Sequence, residues 1–104
     1  MKDPLPYKPT HPGEVLKDEL DVRGIKQKHL AVSIGVKQSY LSEVINGKRP
    51  VTADLSILLE KALDIPAEFW MRFQIQFEID SARQKEKNII RLRNIKRIKQ
   101  KSSA

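Results

Sequence analysis

Traced by the recurrence of apolar positions, the chain divides into short amphipathic segments separated by Gly, Pro and Asn. The densest runs from Gln27 to Asn46, QKHLAVSIGVKQSYLSEVIN, where Leu30, Ala31, Ile34, Val36, Leu41, Val44 and Ile45 fall at helical spacing on both sides of Gly35. That pattern predicts two short helices around one tight turn. Ala31 is small enough for a second helix to cross closely, and Gly35 lacks the β-carbon that makes a left-handed backbone costly.

Upstream, Val15, Leu16 and Leu20 supply the buried face of a first helix from about Pro12 to Val22. Its start is read at the Thr10 hydroxyl, with Pro12 in the first turn and Glu14 near the positive end of the dipole, and Arg23-Gly24 stops it. Downstream, Asn46-Gly47 ends the second helix of the pair, and Lys48-Arg49-Pro50 makes a basic loop. Thr52 caps a fourth helix, in which Leu55, Leu58, Leu59, Ala62 and Leu63 recur at i, i+3, i+4, i+7 and i+8.

After Asp64-Ile65-Pro66 a longer fifth helix carries two apolar arcs. Phe69, Trp70, Phe73 and Phe77 lie on one, suited to the core, whereas Met71, Ile75 and Ile79 lie roughly opposite. A surface helix needs only one apolar face. The second therefore predicts a partner, most simply another copy of this chain, with Met71, Ile75 and Ile79 at the dimer contact. From Ser81 onward Ile89, Leu92, Ile95 and Ile98 recur every three residues, so the stripe drifts around an α-helix and the amphipathic signal is weak. The expected fold is all-α: a compact five-helix domain over 11–80, a proline-containing N-terminal arm over 1–10, and a basic, partly helical or disordered tail over 81–104.

Composition narrows this further. With 104 residues and 39% hydrophobic content, the chain has room for one small domain and no second. It has no cysteine, which excludes disulfides and zinc–thiolate sites. No apolar run is long enough to span a membrane and the first residues lack an apolar signal core, so the expected location is cytoplasmic. The net charge is +7, but its placement says more: residues 1–83 hold 12 Lys/Arg against 12 Asp/Glu, and residues 84–104 hold 8 against 1. Within the neutral body, 23–49 has six bases and one acid, Glu43, whereas 52–80 has six acids and only Lys61 and Arg72 as bases. One face suits phosphates and another suits a basic partner.

The second helix of the pair, about Lys37 to Ile45, presents Lys37, Gln38, Ser39, Ser42 and Glu43 outward, side chains that hydrogen-bond base edges. A glycine between two helices also occurs in ordinary bundles. Here the roughly twenty-residue spacing from Gln27 through Ala31 and Gly35 to Leu41 and Val44 favours a helix-turn-helix entering a DNA major groove. Lys48 and Arg49, just past that helix, are placed to hold the phosphate backbone. Other chemistries find little support. His11 and His29 lie on different helices without a ligand cluster, so no metal is expected and His11 reads as a capping or surface residue. Asp18, Glu19 and Asp21 have no paired base and no glycine-rich phosphate loop beside them, which argues against an enzyme or a cofactor site. An RNA module would need stacking aromatics on its basic surface, and a membrane-surface helix would need Trp or Phe anchors in the tail; neither is present.

Taken together, HPGEVLKDEL at 11–20, QKHLAVSIGVKQSYLSEVINGKRPVTADLSILLEKAL at 27–63 and IPAEFWMRFQIQFEI at 65–79 resemble the HigA/VapI-like antitoxins of the Xre, lambda-repressor-like helix-turn-helix class. The resemblance covers roughly two thirds of the chain. It implies a five-helix domain, a homodimer formed through the C-terminal part, a palindromic double-stranded operator, repression of the protein's own operon, and a RelE-like, mRNA-cleaving toxin as partner. By matching position it implies that Gln27 and Gln38 approach phosphates and bases, that Lys37, Ser39 and Glu43 face bases, and that Lys48 faces phosphate. The tail beyond Arg83 is longer and more basic than the family pattern. A stand-alone phage-type repressor, without a toxin, would share every residue of the DNA reader.

Overall fold

The computed structural model describes residues 8–100; the expected arm falls outside the described residues over 1–7, as does the end of the tail, 101–104. Among the described residues the elements are α1 (Pro12–Arg23), α2 (Gln27–Ile34), α3 (Gln38–Ile45), α4 (Ala53–Leu63), α5 (Ala67–Gln84) and α6 (Glu86–Arg93), with no strand. No helix among them is long and apolar enough to cross a membrane.

Local chemistry fixes most of the helix ends. α1 starts on His11, not on Thr10 as the sequence suggested, because His11 is the residue with extended backbone immediately before the first helical turn. Its Nδ1 accepts from the Gly13 N–H at 2.8 Å, and the Glu14 carboxylate accepts from the His11 N–H at 3.3 Å, which closes a capping box. The α2–α3 turn is made at Gly35, whose φ of 75° lies in the left-handed region, and the Val36 N–H returns to the Ala31 carbonyl at 3.0 Å. Thr52 caps α4 by accepting from the Leu55 N–H at 3.1 Å. α4 stops on Asp64, which holds a left-handed φ of 59° that a short polar side chain tolerates.

The core joins Leu16 and Leu20 of α1, Leu30 and Ala31 of α2, Leu41, Val44 and Ile45 of α3, Val51, Leu55, Leu59 and Leu63 around α4, and Trp70 of α5. In α4 the inward row is thus Leu55, Leu59 and Leu63; Leu58 is half-buried and Ala62 exposed, at the edge of a stripe read as wholly buried. In α5 only Trp70 of the aromatic arc is fully buried, while Phe69, Phe73 and Phe77 are half-buried around it. The arc instead continues through Gln74, buried four residues after Trp70. Met71, expected at a dimer contact, is half-buried against this core.

Two contacts give α5 its direction. The Glu60 carboxylate near the end of α4 accepts from the Ala67 N–H at 2.6 Å, and the Gln74 Oε1 accepts from the Val51 N–H at 2.8 Å. α5 therefore runs back along α4 toward the loop that precedes it. It continues past position 80 to Gln84, where an extended Lys85 interrupts it before α6. The apolar repeat of 89–98 fits no single helix because α6 ends at Arg93: Ile89 and Leu92 lie on it and Ile95 and Ile98 follow it, making six helices where five and a frayed tail were expected.

Candidate nucleic-acid interface

The reader starts from the packing of α1 on α3. A β-carbon on Gly13 would stand 2.0 Å from the Val44 carbonyl oxygen and 2.9 Å from that of Ile45, so only glycine lets the start of α1 rest on the end of α3. The positive end of one helix thereby meets the negative end of the other. This fixes the tilt of α3 on the core through Leu41, Val44 and Ile45, and the opposite side of α3 is left to solvent.

Along that outward side, Lys37, Gln38 and Ser39 are all exposed. Lys37 is the N-cap residue, and no side chain caps the first turn of α3, which leaves its first amide donors without a side-chain partner. Gln27, at the start of α2, is brought beside Gln38 across a cleft of about 670 Å³ that Lys26 and Lys28 also line. Two amide side chains and two lysines thus gather around the leading end of α3, the end that such helices insert into the groove. Ser42 lies one turn further along, half-buried, and its hydroxyl accepts from the Asn46 side chain at 3.4 Å.

Glu43 and Arg49 behave differently from the reading made of them separately. The Glu43 carboxylate accepts from the Arg49 Nε, and the Arg49 guanidinium lies over the Tyr40 ring, 5.7 Å from its centroid. Each therefore satisfies the other on the free surface. Lys48 has no ion-pair partner among the described residues and is the uncommitted base of this loop.

Three residues that hold this arrangement were not identified as such from sequence. Gly13 sets the α1–α3 approach. His11, expected to cap or to lie at the surface, does cap α1 but is buried beneath the loop: it contacts Gly47, faces the Arg49 backbone carbonyl and meets the Phe77 ring edge-on at 4.8 Å. Burial pushes its imidazole below the usual histidine value, against the opposing pull of the Arg49 carbonyl and the Glu14 carboxylate. Because Nδ1 accepts from Gly13, the ring is neutral with its proton on Nε2. Gln74 is the third: it accepts from Val51 and donates to Glu78 at 2.8 Å, which ties the end of the basic loop to α5. A polar residue in register with Trp70 on the core arc was the signal for it.

The helix-turn-helix family pattern matches residues 16–70. The chain is 38% identical over 72 residues to Virulence-associated protein A' of Dichelobacter nodosus, a match spanning 68% of this chain and 63%, somewhat under two thirds, of that protein. It is 41% identical over 68 residues to Antitoxin HigA-1 of Vibrio cholerae, covering 64% of each. Among solved structures it is similar to the Pseudomonas aeruginosa antitoxin HigA determined with the higBA promoter: TM-score 0.77, 30% identity, 85% of this chain and 96% of that one. On the fold, the α1–α3 packing and these likenesses, the chain belongs to the helix-turn-helix family, on the HigA/VapI-like antitoxin branch.

Proposed function

We propose that this chain is a DNA-binding antitoxin, a homodimer that reads a palindromic operator with α3, represses its own operon and neutralises a RelE-like, mRNA-cleaving toxin. The observation that carries the DNA reading is the gathering of Gln27, Lys37, Gln38 and Ser39 at the leading end of α3, followed by Lys48, which has no ion pair among the described residues. The kinship with an antitoxin solved on a promoter supports it. The dimer is supported by Ile75 and Ile79, 53% and 40% exposed on α5, an apolar surface that a second copy would bury, and paired half-sites are how such domains gain affinity on DNA. A basic toxin has acidic groups to approach in Asp54, Glu60 and Asp64, all exposed along α4 and at its end.

Selection of binders from a randomised duplex pool tests the DNA reading, which predicts a palindromic site bound by two protomers; absence of any enriched sequence would contradict it. Co-expression with any short reading frame that adjoins the gene tests the toxin. Growth arrest relieved by this chain supports an antitoxin, whereas operator binding without any toxic neighbour would leave a stand-alone repressor.

A further inference from the structure

We propose that α6 and the residues after it form a second phosphate-binding surface, which grips duplex DNA flanking the sequence read by α3. This rests on the DNA reading above. The first ground is position. α5 runs toward the basic loop, pairing with Val51 at Gln74 and reaching His11, directly beneath Gly47 and Arg49, at Phe77. Seven further residues, roughly 10 Å of helix, carry the chain past that loop to Gln84. α6 therefore begins past the basic loop that holds the candidate phosphate contacts, beyond Glu78 and Asp80 of α5, and not where α4 meets α5.

The second ground is charge. Between 85 and 99 stand Lys85, Lys87, Arg91, Arg93, Lys96, Arg97 and Lys99 against the single acid Glu86. All seven bases are exposed, and none has an ion-pair partner among the described residues. Duplex DNA carries about one negative charge per 1.7 Å of its axis, so an eight-residue helix about 12 Å long spans several phosphates.

The third ground is that the extension is aimed. The Asn88 side chain donates to the Ala82 carbonyl at 2.8 Å across the Lys85 break, and the Asn88 and Ile89 N–H groups both reach the Lys85 carbonyl at 3.0 Å. α6 thus leaves α5 at a set angle. Ile89, Ile90 and Leu92 leave apolar surface exposed on it, but pairing α6 with its copy would bring two such basic segments together. Phosphate is the counter-charge that this segment lacks.

The test compares the full chain with a K87Q/R91Q/R93Q/K96Q variant on two duplexes, one holding only the selected site and one extending it by about ten base pairs on each side. The full chain should bind the longer duplex at least tenfold more tightly. The variant should lose that gain and show a salt slope shallower by up to about 0.9 for each phosphate it no longer neutralises, while still preferring the site over scrambled DNA. Equal binding of the two duplexes by the full chain overturns the proposal. So does a variant that sediments as a monomer while the full chain is a dimer, since α6 would then be a dimerisation element. If the full chain shows no preference for the selected site over scrambled DNA, the reading of α3 fails; if it shows that preference but no flank effect, only the present proposal does.

Discussion

The paired helices α2 and α3 and the terminal pair α5 and α6 use apolar residues in opposite ways. In α2 and α3 Leu30, Ala31, Leu41, Val44 and Ile45 are all buried, and of what remains outside only Val32 is a large exposed hydrophobic. In α5 and α6 Ile75, Ile79, Ile89, Ile90 and Leu92 are exposed, and Trp70 and Gln74 are the only residues buried outright. The first pair is finished within one chain and offers its surface to something polar. The second leaves apolar surface on α5 and exposed bases on α6 facing solvent. On the proposed function, one region recognises a ligand; the other sets how many copies arrive and how far along the DNA they reach.

This contrast can be broken most severely at Gly13. Gly13→Ala places a methyl 2.0 Å from a backbone oxygen of α3, which cannot move without shifting the recognition helix. A loss of about 3 kcal/mol or more is expected, of the size seen for overpacked cores. Thermal unfolding measures it, and an unchanged melting temperature would mean that α1 and α3 are not packed as described.

On the other region, Ile75→Asp with Ile79→Asp should abolish the dimer by placing charge at an apolar contact, at a cost of several kcal/mol to association. The folded monomer should lose little, because both side chains are already in water. Sedimentation reads the mass and circular dichroism the fold; a variant that remains a dimer places the interface elsewhere.

Gln74→Leu sits between the two regions. It preserves bulk but leaves the buried Val51 N–H without an acceptor, a loss of about 1–3 kcal/mol. Hydrogen exchange at Val51 should accelerate more than exchange in α2. Equal acceleration throughout would assign Gln74 to general packing instead.

The smallest effect is the pH dependence contributed by His11. Its folded value lies below the ordinary 6.5, so the neutral ring is the stabilising form. Its contribution is complete above that value and is lost as pH falls from about 6.5 toward the folded value, by at most about 1.4 kcal/mol per pH unit for one proton. Protonation of Nδ1 also removes the acceptor for Gly13. His11→Asn keeps a capping acceptor and should flatten the stability profile over this range. A profile as steep as the parent's would exclude His11 as its source.

What could be read from sequence follows the same division. The helix pair, the turn at Gly35, the cap at Thr52 and the inward leucines of α4 were legible because local periodicity and backbone chemistry determine them. The burial of the His11 cap was not, since it is made by Gly47, Arg49 and Phe77, which are distant in sequence. Nor was the Glu43–Arg49 pair, formed only when the chain turns back after α3. α6 was legible only as a partly helical tail, because the repeat that begins on it at Ile89 and Leu92 runs on through Ile95 and Ile98 past its end, and the partial burial of Met71 was not, because helical geometry alone does not say where the core's edge falls.

The proposed recognition depends most on α3 reading bases while the following loop holds phosphate, and two single substitutions on one duplex separate these roles. Gln38→Ala should cost about 1–3 kcal/mol and relax preference at one base position without changing the salt dependence. Lys48→Ala should weaken operator and scrambled DNA alike and reduce the slope of log K against log salt by about one per protomer. Binding titrations at several salt concentrations provide both quantities. Opposite signatures are expected for the two variants; a Gln38→Ala protein that weakened every sequence equally and flattened the salt slope would contradict this division of roles, because α3 would then lie on the backbone and not in the groove.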